Sequence, residues 1–428
     1  MSVVEFFDKP RIKAAVVFPD VDGQRIALSA KARLEEAVGL AAAIDLDVCF
    51  QDIVRVRNVK PATLVGQGVL DNLIEKIKEY ELGLVVFDTS LSPIQQRNLE
   101  KKLEVKVIDR TALILEIFGE RAKTKEGKLQ VELAHLTYQR SRLVRSWTHL
   151  ERQRGGAGFL GGPGETQIEL DRRIIDDKIL KIKQDLEKVK LTRLIQRSAR
   201  KRVPYASVAF VGYTNAGKST LFNKLANANV FAKDLLFATL DTAMKKIELP
   251  SGKEIILSDT VGFISDLPHE LVMAFRATLE EVLTADLVVH VRDVASENSK
   301  EQAKDVFDVL ESLGFDDFSN SNKYVEVLNK VDLLDEEKKE AIKGVLKPNM
   351  VAVSAITGEG CDKLLKLIDD LLSIDFEVKD IEVSVSDGKK IAWLYRNCEV
   401  LENKLVDDIM QLKIKISKAD LGRLEQML

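Results

Sequence analysis

The sequence is poor in the residues that mark secreted, disulfide-linked or membrane-spanning proteins. Only 3 of its 428 residues are cysteine, and Cys49, Cys361 and Cys398 lie far apart with none of the close spacings of a zinc site. No stretch approaches the roughly 18 uninterrupted apolar residues that cross a bilayer. The segment from Met1 to Glu5 lacks the basic start and apolar run of a signal peptide. These absences predict a cytoplasmic chain with no structural disulfide, no zinc and no integral membrane contact.

Charge is distributed unevenly along the chain. The net charge is −4, but residues 121–202 contain 21 Lys or Arg against 10 Asp or Glu. That stretch therefore carries about +11 and the remainder about −15. Segregated charge of this kind says more about binding partners than the total charge does.

A glycine-rich run at 155–164 divides this basic stretch. Six glycines and one proline in ten residues cannot continue a helix. Two long helices folded back through this run are the simplest arrangement. Five arginines lead into it: Arg140, Arg142, Arg145, Arg152 and Arg154. A cationic helical tip with a flexible loop suits the phosphate backbone of structured RNA, although a solvated charged hairpin is the alternative.

The apolar pattern predicts an α/β protein with four domains. Residues 1–120 alternate short apolar runs with amphipathic stretches, which predicts an N-terminal α/β domain with a parallel, doubly wound sheet. Its expected strands cover 14–18, 48–54, 84–87 and 105–108, and its expected helices cover 29–43, 70–80 and 92–103. Residues 121–203 form the basic helical hairpin and residues 204–373 a second α/β domain with a mostly parallel sheet. Residues 374–428 form a small α+β domain with strands near 381–385 and 412–416 and a final helix from 419.

The second α/β domain opens with a phosphate-binding motif. An apolar strand pattern at 207–211 runs into G-x-x-x-x-G-K-S and then into an amphipathic helix, which is the context this motif requires. Glycines let backbone amides turn toward phosphate oxygens, and the helix N-terminus adds its positive dipole end. Lys218 is expected to contact the β- and γ-phosphates, and Ser219 to ligate Mg²⁺. The predicted binding residues are Gly212, Tyr213, Thr214, Asn215, Ala216, Gly217, Lys218, Ser219 and Thr220.

A second apolar strand pattern at 255–258 leads into D-x-x-G. The motif comprises Asp259, Thr260, Val261 and Gly262. A carboxylate at the end of a strand can hold Mg²⁺ through water, and the Gly262 amide can sense a γ-phosphate. The motif is weak evidence alone, but it is strong evidence when it lies one strand after a phosphate loop.

A candidate switch loop lies between these two motifs. Its predicted binding residues are Phe237, Ala238, Thr239, Leu240 and Asp241. A switch loop needs a threonine that closes over Mg²⁺ and the γ-phosphate, for which Thr239 is expected and Thr242 is the alternative. The expected Mg²⁺ ligands are Ser219, Thr239 and Asp259.

A third strand pattern, at 324–328, leads into a motif that selects guanine. The motif N-K-x-D comprises Asn329, Lys330, Val331 and Asp332, and a fourth strand pattern leads to Ser354, Ala355 and Ile356. The Asp332 carboxylate can accept hydrogen bonds from the guanine ring N–H and exocyclic amine, which adenine cannot offer. Four motifs in this order, each at the carboxyl end of a strand, predict a domain that binds GTP and GDP.

The residue after Gly262 is Phe263, where many small GTPases have a glutamine that orients the attacking water. A phenylalanine side chain cannot orient water. Two explanations remain open: another group performs that task, or hydrolysis is slow until a partner completes the site. We favour the second.

One segment closely resembles a known family. Residues 156–174 read G-A-G-F-L-G-G-P-G-E-T-Q-I-E-L-D-R-R-I, which is similar to the signature of the HflX family of translational GTPases. The switch sequence at 237–241 and the sequence from Asp259 to Ile264 resemble the same family. The resemblance extends from about Val16 to Leu372.

The resemblance implies an N-terminal HflX domain, a helical linker and a Ras-like P-loop GTPase domain that together bind the large ribosomal subunit. Family members are associated with splitting or rescuing stalled ribosomes, and some also hydrolyse ATP. In the broader class, an asparagine at the position of Asn215 can bind a K⁺ ion that substitutes for a missing catalytic group. Asn215 therefore joins Lys218, Thr239 and Gly262 as an expected catalytic residue.

Three functional hypotheses follow. The first is a monomeric, Mg²⁺-dependent GTPase that docks on the large ribosomal subunit through the basic hairpin and couples its nucleotide state to ribosome splitting or rescue. The second is a GTP-gated RNA chaperone or RNA-modification partner that does not act on whole ribosomes. The third is a GTPase peripheral to the membrane, which is disfavoured because the sequence has no basic amphipathic terminus or lipidation motif. The family signature favours the first.

Overall fold

The computed structural model describes residues 11–23, 28–153, 163–200, 205–228, 236–237, 243–266, 282–312, 314, 323–373, 376–417 and 424. Most of the predicted switch loop lies outside these residues, including Ala238, Thr239, Leu240, Asp241 and the alternative Thr242. Most of the glycine-rich run and nearly all of the expected C-terminal helix also lie outside them.

The N-terminal domain is the expected parallel α/β fold. Its strands are β1 Lys13–Val21, β2 Asp47–Val56, β3 Leu84–Phe87 and β4 Lys106–Asp109, and its helices are α1 Ala30–Ala43, α2 Gln67–Tyr80, α3 Pro93–Leu103 and α4 Arg110–Arg121. The strand order is β2-β1-β3-β4, with every neighbouring pair parallel. Side-chain caps start three of the helices, at Ser29, Ser92 and Asp109, because each accepts a hydrogen bond from an otherwise unpaired backbone amide.

Two long helices follow, α5 Lys125–Gln153 and α6 Pro163–Arg200, and they pack against each other. They form the expected hairpin. Helix α5 also contacts α3 and α4, so the hairpin is attached to the N-terminal domain as far along α5 as Arg142.

The motifs predicted to bind GTP lie on a six-stranded sheet, called the GTP-binding sheet below. Its strands are β5 Ala206–Val211, β6 Ala243–Glu248, β7 Glu254–Asp259, β8 Leu287–Asp293, β9 Tyr324–Asn329 and β10 Met350–Ala352. Its helices are α7 Lys218–Ala226, α8 Ser299–Ser312, α9 Glu336–Val345 and α10 Cys361–Ser373. The strand order is β10-β9-β8-β5-β7-β6, and all pairs are parallel except β6 with β7. The carboxyl ends of the parallel strands therefore meet at one edge, where α/β proteins bind ligands.

The C-terminal segment forms a small antiparallel sheet. Its elements are β11 Phe376–Ser384, α11 Gly388–Asn397, β12 Glu399–Val406 and β13 Ile409–Ser417, and the strand order is β11-β13-β12. Alternate residues of β13, Leu412, Ile414 and Ile416, are buried, which is the period of a sheet with one covered face. No helix among the described residues is long and apolar enough to cross a membrane.

One apolar core joins the N-terminal domain to the GTP-binding sheet. Phe118 of α4 meets Phe237 edge to face, with ring centroids 4.7 Å apart. The same buried cluster includes Val261, Phe263 and Ile264, which follow β7. The N-terminal domain is therefore packed directly against the segment that the D-x-x-G motif begins.

Candidate nucleotide site

The phosphate loop after β5 depends on two glycines. Gly212 and Gly217 have φ angles of +152° and +89°, where side chains are strongly disfavoured. A Cβ on Gly212 would lie 2.2 Å from the backbone oxygen of Val291, and one on Gly217 would lie 2.2 Å from Nδ2 of Asn329. The loop can pass this close to its neighbours only because both positions lack a side chain.

Lys218 is buried at the start of α7, inside this loop. Its Nζ donates to the backbone oxygens of Gly212 at 3.0 Å and Tyr213 at 2.7 Å. Burial lowers the pKa of Lys218 to about 8, although the charge of Asp259 opposes the shift. A triphosphate in the loop would favour the charged ammonium, so Lys218 is suited to bind it.

Ser219 and Asp259 supply a donor set for Mg²⁺. The Ser219 hydroxyl donates to Oδ2 of Asp259 at 2.6 Å, which brings the two predicted ligands together. Asp259 is fully buried at the end of β7. A hydroxyl and a carboxylate are the hard oxygen donors that Mg²⁺ prefers, so these two residues fit the ion that would accompany the nucleotide.

The D-x-x-G segment is bonded to the phosphate loop. The Thr214 amide donates to the Phe263 oxygen at 2.7 Å, and the Phe263 amide donates to the Gly212 oxygen at 3.1 Å. A Cβ on Gly262 would lie 3.0 Å from Nζ of Lys218, so this glycine is packed beside the phosphate-binding ammonium. The Phe263 ring is buried in the shared core and offers no polar group to a water molecule.

The guanine motif is tied to the same loop through Asn329. Its Nδ2 donates to the Ala216 oxygen at 2.9 Å, and its Oδ1 accepts from the Ala355 amide at 3.0 Å. Ser354 is fully buried, whereas the side chain of Ile356 is 73% exposed. Asp332 lies in the short turn Val331–Leu333 and is partly exposed. The structure thus brings the predicted phosphate, Mg²⁺ and guanine residues of the described chain to one edge of the sheet.

Sequence reasoning did not find a cluster of charged residues on the N-terminal domain. This cluster consists of Arg33, Glu36, Asp88 and Arg110, and is called the N-terminal cluster below. Asp88 holds both arginines: it accepts from Nε of Arg33 at 3.2 Å and from Nη1 of Arg110 at 2.5 Å. Asp88 and Arg110 directly follow β3 and β4, so they lie at the ligand-binding edge of a doubly wound sheet. The position of Asp88 and Arg110 at the ends of predicted strands was the sequence signal from which this cluster could have been found.

Both arginines of the N-terminal cluster donate hydrogen bonds to the segment that follows Phe263. Nη2 of Arg110 donates to the backbone oxygen of Ser265 at 2.8 Å. Nη1 of Arg33 donates to the Ser265 hydroxyl at 2.9 Å and to Oδ2 of Asp266 at 2.7 Å. The ligand edge of the N-terminal sheet is thus occupied by residues of the GTP-binding domain.

Glu36 connects these hydrogen bonds to the phosphate loop. The Ser265 hydroxyl donates to Oε1 of Glu36 at 3.0 Å, and the Tyr213 hydroxyl donates to Oε2. The Ser265 amide in turn donates to the Tyr213 hydroxyl oxygen at 2.8 Å. Burial, followed by the charge of Glu36, raises the pKa of Tyr213, so the hydroxyl keeps its proton and remains a donor.

The arginines expected to face RNA do not share one environment. Arg142 is largely buried: Nη2 donates to Oδ2 of Asp109 at 2.6 Å, and the guanidinium stacks over the Tyr138 ring at 4.4 Å. It therefore anchors α5 to the N-terminal domain and is not available as a phosphate contact. Arg140 is 44% exposed and pairs with Asp176 of α6. The side chains of Arg145, Arg152 and Arg154 lie outside the described part of the chain.

Comparison with known proteins places this architecture in one family. Residues 31–119 match the family described as GTP-binding GTPase N-terminal, residues 121–200 GTP-binding GTPase Middle Region, residues 207–330 50S ribosome-binding GTPase, and residues 341–428 HflX C-terminal domain. GTPase HflX of Magnetococcus marinus is 47% identical over 395 residues, which covers 92% of this chain and 90% of the relative. The chain belongs to the HflX family of GTPases.

Other relatives share this assignment. GTPase HflX of Escherichia coli is 42% identical over 367 residues, which covers 85% of each chain. A crystal structure of SsGBP with GDP aligns over 84% of this chain and 98% of that one, with 24% identity and a TM-score of 0.48. The matched family models and the two HflX relatives confirm the expected family and the expected binding of GTP.

Proposed function

We propose that this HflX-family protein hydrolyses GTP with Mg²⁺, docks on the large ribosomal subunit and couples its nucleotide state to ribosome splitting or rescue. Support comes from the match of residues 207–330 to the family described as 50S ribosome-binding GTPase. The observation that carries the coupling is the contact between the N-terminal cluster and Ser265, three residues after Gly262.

Each residue of the nucleotide site has a task in this proposal. Mg²⁺ supplies charge neutralisation for the β- and γ-phosphates when bound. Lys218 binds the same phosphates, and Ser219 and Asp259 hold the ion in place. The Gly262 amide and the Thr239 hydroxyl contact the γ-phosphate side. Asp332 selects guanine. Phosphoryl transfer needs mainly positioning and electrostatic stabilisation, which these groups provide together.

The N-terminal cluster makes the position of the N-terminal domain depend on the nucleotide. When the Gly262 amide donates a hydrogen bond to a γ-phosphate, the segment that contains Ser265 changes position. Arg110 and Arg33 hold that segment through charge-assisted hydrogen bonds, which are stronger than neutral ones. Movement of the segment must therefore either carry the N-terminal domain with it or break these bonds.

Asn215 is proposed to bind K⁺. It lies exposed in the phosphate loop, with a left-handed φ of +58°, and its side-chain amide oxygen is a suitable donor for an alkali cation. Phe263 itself offers no water-orienting group, which an additional cation would partly offset. Replacement of K⁺ by Na⁺ should slow GTP turnover in wild type and leave Asn215→Ala unaffected. Equal rates in both salts would remove K⁺ from the proposal.

Ribosome docking is assigned to the exposed basic residues of the hairpin and its glycine-rich run. The test is co-sedimentation with purified large subunits in the presence of a non-hydrolysable GTP analogue or GDP. The proposal expects stronger binding with the analogue. Equal binding with both nucleotides would contradict nucleotide-controlled docking, and binding to free ribosomal RNA but not to subunits would favour the RNA-chaperone alternative.

A further inference from the structure

A second ion pair lies at the guanine end of the site. Lys330 of the N-K-x-D motif places its Nζ 2.8 Å from Oδ2 of Asp293, the last residue of β8. Both side chains are mostly buried, at 23% and 18% exposed. A partly buried pair is screened less by solvent than an exposed one, so this contact can hold the lysine in one position.

The Asp293 carboxylate is also held by the backbone, independently of Lys330. Its Oδ1 accepts a hydrogen bond from the Ala295 amide at 2.9 Å, which leaves Oδ2 for Lys330. Strand β8 pairs with β9 up to Asp293 and Asn329, and the Val294 amide donates to the Asn329 oxygen at 3.1 Å. The carboxylate therefore has a defined position relative to the guanine motif.

Lys330 has an unusual backbone conformation. Its φ is +68°, in the left-handed region, which a side chain adopts only at a cost. The residue before it, Asn329, is bonded to the phosphate loop, and Asp332 follows two residues later. The lysine therefore lies between the loop that binds the phosphates and the carboxylate assigned to the base. The ion pair with Asp293 restrains the lysine ammonium at one end of a stem of four apolar methylenes.

We infer that Asp293 is a positioning residue for guanine nucleotides: it holds Lys330 extended so that the aliphatic stem packs on one face of the base. The inference rests on the proposed assignment of N-K-x-D to the base. Asp332 reads the edge of guanine, whereas Lys330 covers its face. Loss of Asp293 should therefore weaken the binding of every nucleotide whose base enters the site. The preference for bases that carry a 2-amino group should not change.

The test is equilibrium binding of GDP and inosine diphosphate to the full chain in Mg²⁺, combined with steady-state GTP turnover. Asp293→Asn removes the charge but keeps an oxygen for the Ala295 amide. Loss of one charge-assisted contact should lower the affinities for GDP and inosine diphosphate equally, by about fivefold to tenfold. KM for GTP should rise by a similar factor, while kcat at saturating GTP changes less than twofold.

A double-mutant cycle with Lys330→Met distinguishes positioning from a general structural effect. Methionine keeps an unbranched stem but lacks the ammonium, so Asp293→Asn should have no further effect in that background. The matched control is Glu326→Gln, because Glu326 pairs with Arg292 across the same two strands. Its nucleotide affinities should stay within twofold of wild type.

Unchanged GDP affinity in Asp293→Asn would overturn the inference. An undiminished additional loss in the Lys330→Met background, or an equal loss in Glu326→Gln, would also overturn it. Failure of the underlying guanine assignment is separately visible, since wild type would then bind GDP no more tightly than ADP.

Discussion

The guanidinium of Arg110 donates a hydrogen bond of 2.8 Å to the backbone oxygen of Ser265, although the two residues are 155 positions apart in the chain. Ser265 lies three residues after Gly262, whose amide is expected to meet the γ-phosphate. The contact therefore links the N-terminal sheet to the part of the GTP-binding domain that must respond to hydrolysis. Phe263 lies between Gly262 and Ser265 in the sequence, and its ring is buried in the shared core.

The first prediction concerns this link. Glu36→Gln removes the charge that joins Arg110, Ser265 and Tyr213, so the segment should leave its resting position more easily. Intrinsic GTP turnover should rise by up to about tenfold, the effect of weakening one charge-assisted contact. Steady-state phosphate release measures it. Glu35→Gln is the control, since Glu35 is exposed on the same helix. Equal rates in wild type and Glu36→Gln would show that the contact does not restrain the site.

The second prediction concerns Mg²⁺. Ser219→Ala removes a proposed ligand and the hydroxyl that reaches Asp259. GTP turnover in millimolar Mg²⁺ should fall by about 100-fold, and raising the Mg²⁺ concentration should recover part of it. Ser312→Ala, at the exposed end of α8, controls for loss of a serine hydroxyl. Normal turnover in Ser219→Ala would exclude this residue as a ligand.

The third prediction concerns the base. Asp332→Asn replaces an acceptor for the guanine N–H groups with an amide that can donate to the xanthine carbonyl. The change should weaken GTP binding by about 100-fold or more and favour xanthosine triphosphate, because unpaired polar groups in a binding site are costly. Titrations with GTP, ATP and xanthosine triphosphate measure it. Wild-type affinity for GTP in the variant would place guanine recognition elsewhere.

The fourth prediction concerns pH. Burial, followed by the charges of Glu36, Asp266 and Asp308, raises the pKa of Asp305 to about 6, and Arg33 only partly opposes this. The raised value means that the folded state holds the proton more tightly, so the ionised carboxylate destabilises the fold above pH 6. Asp305→Asn should stabilise the protein by about 1 kcal/mol at pH 7.5, a figure reduced for screening at this half-buried site.

That advantage should shrink as the pH falls through 6 and vanish near 4, where Asp305 is protonated in both states. Denaturant unfolding at pH 7.5 and pH 5 measures the change. Glu311→Gln, exposed on the same helix and not among the charges that act on Asp305, is the control. A stabilisation that is independent of pH would show that the carboxylate charge is not responsible.

The residues of the candidate nucleotide site could be proposed from the sequence because each of its motifs is local. The spacing of Gly212, Gly217 and Lys218 already contains the geometry of the loop, and flanking apolar strands fix where the loop must lie. The N-terminal cluster could not be predicted in this way. Its partners are as far as 233 residues apart, and Arg33 lies in the expected helix at 29–43, where no motif marks it. Arg142 was misread for a related reason, since its partner Asp109 becomes adjacent only when α5 packs on the domain.

Short elements with mixed patterns were also missed. Helix α4 follows β4 with no intervening loop, so no turn separates it from the predicted strand at 105–108. Strand β12 has equal numbers of apolar and polar or charged side chains with no strict alternation, and Leu405 and Val406 at its end are exposed. Burial does not impose a clear period on such an edge strand.

The central claim, that the large ribosomal subunit engages this GTPase through the basic hairpin and completes its site, has one direct test. GTP turnover is measured with and without purified large subunits, at two salt concentrations, for wild type and for Arg140→Glu with Arg145→Glu; Arg142 is left intact because it anchors α5. The account predicts marked stimulation of wild type that weakens with salt, and little stimulation of the variant with its intrinsic turnover unchanged. Equal stimulation of both proteins, or none of either, would contradict it.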